Sequence, residues 1–145
     1  MNPDVEDKIK AFLSGAPRYR IVVDTTKKVD ELYVDVGAEL SQFLSVNTNI
    51  SPSNLKFAVA EELARLFRRN KESHPDLGDF LRICNLGILF EPKLGIDIRQ
   101  LLQNFSRNTL TIIHWPGDYD DNHLYFLSKE DGMTIDLSNT NHIFI

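Results

Sequence analysis

Apolar positions along this chain alternate between a helical and a strand period. Val5, Ile9, Phe12 and Leu13 share one helical face, with Asn2 placed as the cap and Pro3 in the first turn. Gly15 and Pro17 end that helix. The run RYRIVV predicts a strand through Val23, DTTKKVDE is a polar connection, and the alternation in LYVDV predicts a second strand. AELSQFLS reads as a short helix. Ser51 and Pro52 then open a helix to about Asn70 whose stripe is Leu55, Val59, Leu63, Leu66 and Phe67. HPDLG breaks it. DFLRICNLGILF is too long for one ordinary strand, so it reads as a strand over Phe80–Cys84 and an extended or turn segment to Phe90. Asp97 caps a helix in which Ile98, Leu101, Leu102 and Phe105 share a face. TLTIIHW is the clearest buried strand, being short, β-branched and nearly continuous. HLYFLS, MTIDL and HIFI predict three more strands, with Asp131-Gly132 a hairpin signal between the first two.

Strands that alternate with helices through the middle predict a single α/β domain over residues 1–145. Its sheet is expected to be mixed, mostly parallel and flanked by helices, with antiparallel strands at the C-terminal end. Only about eight residues separate Val23 from Leu32, whereas a parallel crossover usually takes a dozen or more. The first two strands are therefore expected to form an antiparallel hairpin.

Composition adds limits. At 145 residues and 42% apolar, the chain can bury one core. Its single cysteine excludes an internal disulfide and a Cys-rich zinc site. No apolar run approaches the roughly 20 residues that span a bilayer, and the N-terminus is charged and helical in pattern rather than a signal peptide. A cytoplasmic protein with no membrane partner is the expectation. The net charge of −5 equals the imbalance of residues 108–145, which hold Lys129 against six acids. That disfavours nucleic-acid binding over the whole surface, because phosphate contacts need clustered Lys and Arg.

Candidate chemistry is sparse. A phosphate-binding loop needs glycines and a lysine between a strand and a helix. The connection after IVV carries Lys27 and Lys28 but no glycine. PGDYDDNH is the densest acidic stretch. Asp118, Asp120 and Asn122 fall where a calcium loop places its first ligands, but His123 stands where glycine is needed and Lys129 where a bidentate acid is needed. Asp118, Asp120, Asp121 and His123, with His114, are weak candidates for a divalent metal and a phosphoesterase or nuclease site; a solvated turn is the simpler reading. His114 and Cys84 sit near strand ends, where sheet enzymes place functional groups, yet each also reads as a structural residue. Arg65, Arg68, Arg69 and Lys71 gather at a helix end, where positive charge suits the helix dipole or offers a patch to DNA or an acidic partner. Trp115 reads as half-buried and a candidate interface anchor.

The stretch ILFEPKLGIDIRQLLQNFSRNTLTIIHWPGDYDDNHLYF, residues 88–126, resembles the BrxF-type small P-loop proteins of BREX phage-defence systems. The matching residues are Leu89, Phe90, Glu91, Pro92, Leu94, Leu101, Leu102, Ser106, Arg107, Trp115, Gly117, Tyr119 and Tyr125. YVDVGAELSQFL, residues 33–44, is similar to that family's second strand and the helix after it. Members with a P-loop carry the glycine-rich lysine loop and a helix between the first two strands, where this chain has DTTKKVDEL. The same alignment sets Cys84 near the family's magnesium-associated aspartate, and a thiol replaces that carboxylate poorly. The resemblance thus implies a P-loop-NTPase-like sheet lacking the P-loop, with no catalytic residue to carry over and no cofactor. It implies a non-enzymatic subunit whose partners are other defence-system proteins. Arg107, paired with Ser106, is a partner-contact candidate or bonds helix C-terminal carbonyls.

Overall fold

The computed structural model describes residues 1–29, 31–130 and 132–145. Helix α1 (Pro3–Ser14) begins as its sequence predicts, with the Asn2 side chain accepting from the Asp4 N–H at 2.8 Å and Pro3 in the first turn. It leads into β1 (Ile21–Asp24). β2 (Val34–Asp35) is two residues long and passes directly into α2 (Val36–Val46), capped by Asp35. Helix α3 (Pro52–Arg69) buries Val59, Leu63, Leu66 and Phe67. β3 (Glu72–His74) and β4 (Gly78–Cys84) form a hairpin. Two 3-10 turns, Gly87–Phe90 and Pro92–Leu94, lead to α4 (Ile98–Ser106). The chain closes with β5 (Leu110–His114), β6 (His123–Phe126), β7 (Met133–Asp136) and β8 (His142–Phe144).

The main sheet has the order β2-β4-β5-β1-β8, all parallel, with β3 antiparallel on β4. β6 and β7 form a separate antiparallel pair. Alternation sorts the strand residues between two cores. Ile21, Val23, Leu81, Ile83 and Ile113 pack with α2, α3, α4 and the β6–β7 pair. Val22, Phe80, Leu110 and Ile112 pack beneath α1 through Ile9. β5 lies at the centre and all five of its residues are buried, as its continuous apolar run requires.

Two expectations fail. The first two strands are not a hairpin: β1 and β2 run in the same direction, with β4 and β5 between them. The dozen-residue rule assumes a return along a full strand. β2 pairs with Ile83 and Cys84, at the carboxyl end of β4, so Val34 lies nearly level with the end of β1 and the step between the two strands is mostly sideways. The last strand is also not part of an antiparallel extension; β8 joins β1 in parallel. The C-terminal antiparallel pair is β6–β7. Of its Asp131-Gly132 turn signal, Asp131 lies outside the described residues.

Candidate functional site at the carboxyl edge of the sheet

Register fixes a row of side chains along one edge. Asp24 stands opposite His114, and Asp35 opposite Cys84, each at the carboxyl end of its strand. In open parallel sheets, ligands bind outside this edge. The polar side chains at these strand ends bond backbone groups of the segments that follow, as Asp24 does with Thr26, His114 with the Thr26 carbonyl and Asp35 with Ala38.

The β1 end is closed by its own connection. Asp24 Oδ1 accepts from the Thr26 N–H at 3.0 Å and the Thr26 hydroxyl at 2.8 Å, and Oδ2 accepts from the Tyr33 hydroxyl at 2.6 Å. Burial favours protonation of Asp24, but the bonds from Tyr33 and Thr26, with His114 nearby, outweigh it and hold the carboxyl below its ordinary value. His114 is buried, and its Nε2 lies 2.8 Å from the Thr26 carbonyl, which makes that nitrogen the donor. The Tyr33 ring packs edge-on to it, with centroids 6.0 Å apart. Thr26 and Tyr33 on the following connection thus bond the ends of β1 and β5. Lys27 and Lys28 are exposed on that connection.

The polar groups at the β4 end are paired in the same way. Asp35 Oδ1 accepts from the Ala38 N–H and from the Asn85 side-chain amide at 2.8 Å. Asn85 takes a left-handed φ of 58° to reach it. A Cβ on Gly37 would lie 2.4 Å from the Asn85 amide nitrogen, so the helix start needs glycine there. Cys84 is buried, and desolvation, then the Asp35 charge, raise its thiol pKa. Cys84 thus presents a neutral thiol at this strand end.

The acidic-histidine stretch folds as a structural turn. Asp120 accepts from the Tyr125 hydroxyl at 2.5 Å and the Asn122 N–H at 3.0 Å, and lies 2.9 Å from His123 Nδ1. These bonds, Tyr125 first, hold its carboxyl well below the usual range. His123 Nε2 faces Asp136 at 3.7 Å. Asp118 and Asp121 contribute backbone carbonyls, accepting from Trp115 Nε1 at 3.1 Å and facing His142 Nε2 at 2.6 Å. His114 lies apart, on the Thr26 carbonyl. Among the described residues, the His, Cys, Asp and Glu atoms near enough to share an ion are those of Glu6, His74 and Asp76. That set suits an ion poorly. His74 Nδ1 accepts from the Asp76 and Leu77 N–H groups, which leaves the proton on Nε2, and the Lys10 ammonium lies 3.3 Å from Glu6 and 3.5 Å from Asp76.

The basic helix end is largely paired. Arg65 meets Glu62 at 2.5 Å, Arg69 meets Glu39 at 3.2 Å and Lys71 meets Asp79 at 3.3 Å. Arg68 is exposed. Arg107 lies over the Tyr19 ring at 5.7 Å, with Arg18 over the same ring at 5.3 Å, so its contact is aromatic rather than a helix-end carbonyl. Trp115, expected to be half-buried, is only 4% exposed, so it is a core residue and not an exposed anchor. Sequence reasoning missed Asp24, Tyr33 and Asp35. Their signal was position alone: polar groups at strand ends, legible only once the register is known.

Comparison with protein-family models, with curated protein sequences and with solved structures returns no match.

Proposed function

We propose that this chain is a non-enzymatic adaptor: a degenerate P-loop-like α/β domain that acts through protein contacts within a bacterial, BREX-like phage-defence system. The observation that carries the reading is the connection 25–33. It follows an interior strand of a parallel sheet, where a phosphate loop would stand, yet it has no glycine and, among its described residues, no helix before β2. Its Thr26 and Tyr33 bond Asp24 and His114 at the strand ends. The neutral Cys84 thiol in the neighbouring row supports the same conclusion. The defence-system assignment rests on the resemblance of residues 88–126 and 33–44.

The test is affinity purification of the tagged chain from its native host. The expected outcome is recovery of a defence-system ATPase or methyltransferase in stoichiometric amount. Recovery of the chain alone, under conditions that preserve complexes, would remove the adaptor reading.

A further inference from the structure

We propose that the outer edge of β7 docks an extended segment of a partner protein, carrying apolar and basic side chains, which joins the β6–β7 pair as a third strand. The proposal rests on the adaptor reading and names its contact surface. The pair runs in the register His123↔Asp136, Leu124↔Ile135, Tyr125↔Thr134 and Phe126↔Met133. The next pair, Asn122 and Leu137, is hydrogen-bonded, with the Leu137 N–H on the Asn122 carbonyl at 2.7 Å. Antiparallel alternation then points the N–H and C=O of Ile135 toward β6, and those of Thr134 and Asp136 away from it.

The outer edges differ in cover. On β6, Asp120 N–H donates to the His123 carbonyl at 3.0 Å, and Tyr125 N–H donates to the Asp118 carbonyl at 2.9 Å. On β8, the Lys8 ammonium takes the Phe144 carbonyl at 2.6 Å, a common way to block an edge. On β7, among the described residues, no protein group bonds the outward backbone of Thr134 or Asp136. Two donor–acceptor pairs two residues apart along an extended chain match another strand.

That edge lines a groove of about 360 Å³, whose far wall is residues 89–92 and 95–99. Phe90, Pro92 and Ile96 give it apolar contact, and Glu91, Asp97 and Asp136 give it acid. The cation in the groove, Arg99, is held by the Ser138 carbonyl at 2.7 Å and Asp136 at 3.8 Å. A strand with lysine or arginine beside its apolar residues is therefore the complementary occupant. A second copy of β7 would set Asp136 against the same acids.

The test uses a blocked nine-residue peptide alternating valine with lysine or threonine, and amide exchange read by NMR on the full chain. In the free protein, the Thr134 and Asp136 amides should exchange faster than those of Ile135 and Leu137. Saturating peptide should slow both by about tenfold or more, as bonded edge amides require. Thr134→Pro removes one outward donor, which an edge strand tolerates, and should weaken binding about tenfold. A peptide N-methylated on its edge-facing amides should lose binding, and one with glutamate for lysine should bind more weakly. Slow exchange at Thr134 and Asp136 in the free chain would overturn the proposal, as would no binding at millimolar peptide. Binding indifferent to both Thr134→Pro and N-methylation would also overturn it. A dimer abolished by Thr134→Pro would place a second copy on the edge and refute the assigned occupant. If a defence-system protein co-purifies equally with wild type and Thr134→Pro, the edge assignment falls and the adaptor reading stands. If the peptide binds the edge but no such protein co-purifies, the adaptor reading falls and the edge stands.

Discussion

The carboxyl edge of the parallel sheet and the outer edge of β7 present similar chemistry with opposite outcomes. At the first, strand-end polar groups answer one another: Asp24 with Thr26 and Tyr33, His114 with the Thr26 carbonyl, Asp35 with Asn85. At the second, no group among the described residues bonds the outward backbone of Thr134 and Asp136. The polar groups at the usual place for a ligand in an open parallel sheet are thus paired with one another. Open hydrogen-bonding capacity lies on the outer edge of β7. A sheet of this kind can lose ligand chemistry and keep a surface for recognition by strand addition.

The comparison can be broken most strongly in the core. Ile113 is fully buried in the central strand, whereas Met133 is 47% exposed on the hairpin. Ile113→Ala should cost about 3 kcal/mol by denaturant unfolding, and Met133→Ala less than about 0.5. Equal losses would show Met133 to be packed as deeply as Ile113.

The closed edge is next. Asp24→Asn should cost about 1–2 kcal/mol, because a charged acceptor of three hydrogen bonds becomes a neutral one. The sign with pH follows from the lowered carboxyl. Folded Asp24 has a pKa below its unfolded value, so its contribution is complete above the ordinary aspartate range, near 4, and is lost as pH falls through the folded value. Asp120 and Asp136 are lowered too and act in the same direction. Urea midpoints should fall as pH drops below about 4. Tyr33→Phe should leave Asp24 titrating at higher pH, which a carboxyl-carbon NMR titration reads directly. An unchanged titration would mean that the Tyr33 bond does not hold the carboxylate.

The smallest effect sharpens the other side. Thr134→Pro should alter global stability by less than about 0.5 kcal/mol, since the N–H it removes points out of the ladder. A loss of several kcal/mol by thermal unfolding would show that this N–H has an internal partner.

Much of the fold was legible locally. The caps Asn2 and Asp97, the stripe of α3 and the continuous run of β5 each depend on neighbours a few residues away. β3 was not legible, because Glu72, Ser73 and His74 have no strand-like apolar pattern. They are extended through pairing with Phe80, Asp79 and Gly78, and Arg82 ties Glu72 across the sheet at 2.9 Å. The β1–β2 error had the same origin: crossover length depends on where β2 joins β4, which is not written in residues 25–33. The site suffered most. Of the row at the carboxyl edge, His114 and Cys84 stood out by residue type, while Asp24, Tyr33 and Asp35 gained meaning only from register. Trp115 read as an anchor because its type is common at interfaces; the turn after β5 folds over it and takes its N–H on the Asp118 carbonyl.

The central claim is that the strand-end polar groups at the sheet's carboxyl edge answer one another and not a nucleotide. Isothermal titration of the full chain with magnesium ATP tests this most directly. The account predicts no heat of binding at millimolar nucleotide. Micromolar binding that is lost on Lys27→Ala or Lys28→Ala would contradict it.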